Sequence, residues 1–184
     1  MKPPIIGFCG AATAGKTTAA NAIVAALGYR KLSFAAPLRA MLRALGLTDE
    51  QMAAGKNVPV PWLGGKTPRE LMQTLGTEWG RKQVSERIWL DATRRIIEEL
   101  PESVSGVVFD DVRFDNEAAM LRDMGGIIVR IDRPSVTVKM AHESEAGISA
   151  GLVDGVIVNG DNSPNELAIQ AVKYAISRHG HISI

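Results

Sequence analysis

The run Gly10-Ala11-Ala12-Thr13-Ala14-Gly15-Lys16-Thr17 has the residue types and spacing of a phosphate cradle, GxxxxGK[ST]. Gly10 and Gly15 permit backbone angles that a side chain would forbid, so successive N–H groups can turn inward around an anion. A helix beginning near Lys16 adds the positive end of its dipole. Lys16 is placed to reach the β- and γ-phosphates of a nucleotide, and the Thr17 hydroxyl to sit on Mg²⁺. Ala12, Thr13, Ala14, Gly15, Lys16, Thr17 and Thr18 are therefore the expected nucleotide-binding positions. The flanks favour a cradle over an ordinary Gly-rich turn. Ile5–Cys9 reads as a short buried strand bounded by Pro4 and Gly10, and Thr17–Leu27 as a helix that Gly28 ends.

A second chemical cluster follows the β-branched run Gly106–Phe109, which delivers Asp110 and Asp111 at its C-terminal end. That is where a protein with such a cradle keeps its Mg²⁺-organising carboxylate, and where open parallel sheets collect ligands. Either acid could organise the metal with Thr17; Asp110 is the expected ligand. Arg113 and Glu117 come next in tight spacing, Glu117 on a helix read over Asp115 to Met124. An arginine between acids can be a plain salt bridge, but Asp111, Arg113 and Glu117 together at this edge favour a functional set.

Other cations are spread along the chain. Arg39 and Arg43 lie one turn apart on a helix read over Ala36–Leu45, a pair that by itself reads as a solvated face. Thr67-Pro68-Arg69-Glu70 is a capping box with proline at the first helical position. One turn on, Gln73 shares a face with Arg69, so a guanidinium that can clamp phosphate neighbours an amide that can read a base edge. Gly76-Thr77-Glu78-Trp79-Gly80 is expected to interrupt the helical pattern, its glycines suggesting close backbone approach. Arg133 follows a fourth strand, Ile127–Ile131, and is expected at the nucleotide. Lys139 and His142-Glu143-Ser144-Glu145 follow; no Cys or second His stands at ligand spacing to make His142 a metal ligand.

These groups need a scaffold that 184 residues suit well: one α/β domain with an ordinary 46% apolar and 22% charged composition. The formal charge of +1 offers no global field toward nucleic acid or membrane. No run is apolar for long enough to cross a membrane, and residues 1–4 are too short and polar for a signal peptide. A single cysteine, Cys9 in the first strand, fits a reducing cytoplasm. Leu32–Phe34 and Gly155–Asn159 complete five strands, Asn57–Lys66 is a loop, and Glu86–Leu100 an amphipathic helix on which Trp89 reads as core. Ser163-Pro164-Asn165-Glu166 is a second capping box opening a helix to about Ser177, and His179 to Ile184 look frayed. Strands alternating with helices give a doubly wound parallel sheet.

Three functional classes share such a cradle. A GTPase would carry Asn-Lys-x-Asp, which is missing from the sequence, and a motor ATPase would need more chain and partner surface. A small-molecule kinase needs arginines from several segments, and Arg39, Arg69, Arg113 and Arg133 each follow a different element. A kinase of another small metabolite, and an ATP-binding regulatory module, are the alternatives.

The sequence resembles the bacteriophage-type deoxynucleoside monophosphate kinases of the P-loop, adenylate-kinase-like class. GAATAGKT (Gly10–Thr17), SFAAPLR (Ser33–Arg39), KTPRELMQTLGTEWGR (Lys66–Arg81), DDVRFDNEA (Asp110–Ala118), HESE (His142–Glu145) and the late VDGVIVNGD run carry the likeness. The resemblance implies a P-loop three-layer sandwich, with a five-stranded parallel sheet flanked by helices and a short lid. Residues 1–184 would be a single kinase domain, with 35–100 as a helical acceptor-binding region and 132–150 as the lid-like segment. It implies ATP and Mg²⁺, a deoxynucleoside 5′-monophosphate acceptor, and substrate contacts at Arg69, Gly76, Thr77, Trp89, Asp111, Arg113 and Glu117. Lys16, Asp111 and Arg113 are then the expected catalytic residues, with Arg39 and Gln73 also on the acceptor. A small-molecule substrate is the expected partner, with no nucleic acid polymer and no membrane; in a phage-encoded chain the setting would be the host cytoplasm. Apolar residues on the Glu86 helix leave a homodimer open.

Overall fold

A computed structural model describes residues 3–136, 147–160 and 163–179. Lys139, the His142–Glu145 motif, Asp161 and the final residues 180–184 lie outside the described residues, so the expected lid-like segment is only partly covered. The chain forms two compact units, one of Met1–Ser33 with Glu99–Ile184 and the other of Phe34–Glu98. No described helix is long and apolar enough to cross a membrane.

The first unit is built on five parallel strands: β1 (Ile5–Cys9), β2 (Arg30–Leu32), β3 (Val107–Phe109), β4 (Ile127–Asp132) and β5 (Gly155–Val158). Their order is β2-β3-β1-β4-β5. Every residue of β1 and β3 is buried, as their unbroken apolar sequences require of strands covered on both faces. Helices α1 (Lys16–Leu27) and α7 (Pro164–His179) pack together on one face. Ala19, Ala20, Ala171 and Ala175 bring these helices close over Ile6, Phe8, Val129 and Ile131. Helix α6 (Asp115–Asp123) covers β1 and β4 from the other face with Met120 and Leu121 buried. Because the strands are parallel, all five present their C-terminal ends along one edge, where each is followed by a polar or glycine residue. Ser33 follows β2, Asp110 follows β3, Gly10 follows β1, Arg133 follows β4 and Asn159 follows β5.

The second unit is helical: α2 (Ala36–Ala44), α3 (Asp49–Met52), α4 (Pro68–Gln73), a π-helix over Thr74–Val84 and α5 (Ile88–Glu98). Leu38, Leu42, Leu47, Met52, Val60 and Trp89 are its core.

Several elements depart from the sequence reading. Strand β2 lies at 30–32 rather than 32–34, because the three-residue β3 pairs Arg30 with Val107 through Leu32 with Phe109. The single turn α3 was not expected; Thr48 and Gln51 sustain it with a reciprocal capping box. Gly76–Gly80 does not break the helix but widens it into π turns. At α7 the Ser163 hydroxyl accepts from Asn165 N–H, one residue short of the expected box geometry. No described large apolar residue of α5 is exposed, and Ile88 and Ile96 on it are partly buried.

Candidate active site

The cradle is held by side chains from the head of α1 and from the ends of β4 and β5. Lys16 Nζ donates to the carbonyls of Gly10 (2.8 Å) and Ala11 (2.6 Å). Arg133 Nη1 donates to Thr13 O (3.2 Å) and Asn159 Nδ2 to Ala14 O (2.9 Å). With these carbonyls engaged, the loop turns tightly enough that a Cβ on Gly10 would lie 2.3 Å from Ile131 O, at φ +128°. Gly15 caps α1 at φ +111° in the same left-handed region, and Thr13 at φ 65° is the one described non-glycine residue there. Helices α3 and α4 have threonine caps and acids in their first turns, whereas α1 has neither. Its first-turn amides and dipole are thus left for an anion.

Lys16 is half-buried, and its pKa is lowered mainly by burial and then by the nearby Arg113 cation; Asp110 and Asp111 pull the other way. These four charged groups share one small region. Two of the three Lys16 ammonium protons are on loop carbonyls, which leaves the third for a phosphate oxygen.

Beside it, Thr17 Oγ1 donates to Asp110 Oδ2 at 2.7 Å. Lys31 Nζ meets the same oxygen at 2.6 Å and also donates to Asn21 Oδ1 at 3.2 Å. Ser33 Oγ donates to Asp111 Oδ2. A hydroxyl touching a carboxylate is a hard oxygen donor pair, which suits Mg²⁺. Among the described residues no group of three or more His, Cys, Asp or Glu gathers to cage a metal. The donors therefore fit an ion that brings phosphate and water ligands with it.

Glu117, expected as a substrate contact, is 3% exposed, and its carboxylate accepts from Arg113 N–H (2.8 Å) and Phe114 N–H (3.2 Å). It fixes the turn that presents Arg113 at the start of α6. Trp89, also expected as a substrate contact, is likewise closed in. The ring is 6% exposed and its Nε1 donates to Gly76 O at 2.8 Å, so little of it is left for a ligand. The close approach foreseen at the glycines is to this ring: a Cβ on Gly80 would lie 2.6 Å from Trp89 Cζ2. In the same unit Arg69 and Gln73 are exposed at the first and last turns of α4, and Thr77 is half-buried on the π-helix. Arg39 is exposed on α2, and Arg43 is paired with Asp49.

The structure thus gathers Lys16, Thr17, Asp110, Asp111 and Arg113 in the first unit, and carries Arg39, Arg69, Gln73, Gly76 and Thr77 in the second. The deoxynucleotide monophosphate kinase family model matches residues 65–170. A protein of Acanthamoeba polyphaga mimivirus with the provisional name deoxynucleotide monophosphate kinase is 32% identical over 84% of this chain and 88% of its own. The chain belongs to the deoxynucleotide monophosphate kinase family. Its activity is phosphorylation of deoxynucleoside monophosphates. Another relative, the deoxynucleoside-5′-monophosphate kinase of Escherichia phage T5, is 35% identical over 59% of this chain and 45% of the phage protein. A solved structure from Chloroflexus aurantiacus, provisionally named a kinase, superposes with a TM-score of 0.52 at 14% identity. It spans 98% of this chain and all of that one, a likeness of fold.

Three residues of this kinase escaped the sequence reading of the site. Ser33 opens a quoted motif, but its bond to Asp111 depends on β2 lying beside β3. Lys31 reaches Asp110 for the same reason. Asn159 supports the cradle from the end of β5, 145 residues from the carbonyl it holds. Asn159 also lies in the late VDGVIVNGD run, but no local signal marks the role of any of the three.

Proposed function

We propose that ATP is the phosphoryl donor, with Mg²⁺, and that the γ-phosphoryl passes to the 5′-phosphate of a deoxynucleoside monophosphate in the cytoplasm. An acceptor phosphate oxygen bonds to the γ-phosphorus as the bond to the β–γ bridging oxygen breaks, releasing ADP and the deoxynucleoside diphosphate. The observation that carries this reading is Lys16 at the head of a helix with no side-chain cap, beside Thr17 and Asp110 in direct contact.

Lys16 and the amides of residues 12–18 hold the donor phosphates, while Arg133 and Asn159 keep the loop in shape through the Thr13 and Ala14 carbonyls. Thr17 and Asp110 would hold Mg²⁺, which when bound would neutralise charge on the donor phosphates. Charge in the loose transition state spreads over the equatorial oxygens, so Arg113 and Lys16 stabilise it as fixed cations. Asp111, on the Ser33 hydroxyl, and Glu117, on two backbone amides, keep the Arg113 turn aimed. Arg39 and Arg69 screen and clamp the acceptor phosphate, and Gln73 and Thr77 meet its base. Trp89 acts at one remove by fixing the Gly76 carbonyl. The acceptor is already an anion, so no general base is needed.

Steady-state kinetics test the assignments separately. Lys16→Ala is expected to stay folded and to lose about 10²–10³-fold in kcat, as loss of a preorganised charge does. Near-native turnover would remove Lys16 from the mechanism. Arg69→Ala is expected to raise the monophosphate KM about ten- to a hundredfold, the worth of a charged hydrogen bond pair, with little change for ATP. Equal rises for both substrates would show that Arg69 is not an acceptor clamp.

A further inference from the structure

One cation in this site is unused by the mechanism above. Lys31 Nζ lies 2.6 Å from Asp110 Oδ2, the oxygen that also accepts from Thr17 Oγ1 at 2.7 Å. Strand pairing explains the meeting. Lys31 is opposite Val108, and side chains two apart on a strand share a face, so Lys31 and Asp110 point the same way. That face carries α1, whose Thr17 and Asn21 are one turn apart. Lys31 therefore has two oxygens within reach: the Asp110 carboxylate and, at 3.2 Å, Asn21 Oδ1.

Two cations on one carboxylate oxygen repel strongly, the more so as the Asp110 side chain is only 13% exposed. A bare Asp110 carboxylate beside the cradle would instead repel nucleotide phosphates. We propose that Lys31 stands in for the divalent cation on Asp110 while the metal is absent and retires toward Asn21 when it binds. This side chain then sets how strongly Mg²⁺ and nucleotide binding depend on each other. The proposal rests on the metal reading of Thr17 and Asp110.

Calorimetric titration with ADP, once in Mg²⁺ and once in EDTA, separates the two ideas. In Lys31→Met, ADP binding in EDTA is expected to weaken while binding in Mg²⁺ holds or tightens. The ratio of the two dissociation constants then grows about threefold or more, the scale of one partly exposed charge. An unchanged or smaller ratio overturns the proposal. In Asp110→Asn the ratio is expected to fall toward unity; a wild-type ratio there would sink the metal reading and the Lys31 proposal together. Should Lys31→Met fail to fold, Lys31→Gln is judged by the same ratio.

Discussion

Lys16 is tied by two hydrogen bonds to the loop it serves, and burial together with the Arg113 charge holds its pKa below the usual lysine value. An ammonium so placed loses its proton earlier as pH rises. ATP binding is therefore expected to fail on the alkaline side below the ordinary lysine range of about 10.4. Replacing Arg113 by methionine removes a cation that disfavours the charged form, so the alkaline limb moves to higher pH. A limb that stays put, followed by ATP titration across pH, would show that Arg113 does not act on Lys16. The cradle was legible in the sequence because its chemistry is local: glycines, lysine and threonine within eight residues set both backbone and charge. Lys31 and Asn159 were not, since each gains its meaning only from strand pairing and from carbonyls far away along the chain.

At the scale of elements, the π-helix over Thr74–Val84 links local sequence to the acceptor side. Ser85 N–H bonds to Gly80 O five residues back, and the widened turns let the backbone lie against Trp89. Gly80→Ala would put a methyl 2.6 Å from the ring and 2.9 Å from Leu75 O. A cost of about 1–3 kcal/mol is expected, with an altered near-ultraviolet tryptophan signal. Gly151→Ala, with nothing within 4 Å of the new methyl, is the control and is expected to change stability by no more than about 0.5 kcal/mol. Wild-type thermal stability in Gly80→Ala would show that the ring does not pin the π turns. The sequence pointed to crowding at these glycines but not to its partner, because a π turn differs from a break only in where the carbonyls bond. Helix α3 was missed for a related reason: four residues carry too little periodicity, and only the Thr48–Gln51 box marks them.

Across the whole molecule, the alternation of apolar runs and helices was enough to foresee five parallel strands, and the shared C-terminal edge follows from their direction. The boundary between the two units was marked only by the resemblance, which set 35–100 apart as a helical region. It falls at Ser33–Phe34 and Glu98–Glu99, where composition does not shift, because compactness depends on which apolar faces meet. A net charge of +1 leaves the positive potential to be made locally, by Lys16 and Arg113 in one unit and by Arg39 and Arg69 in the other. The central claim is that these cations serve transfer between two phosphorylated molecules rather than hydrolysis of one. ADP release, followed with ATP and Mg²⁺ against a panel of deoxy- and ribonucleoside monophosphates, tests it most directly. ADP is expected only when a deoxynucleoside monophosphate is present, in equal amount to the diphosphate formed. ATP consumed at the same rate with and without every monophosphate would contradict the account.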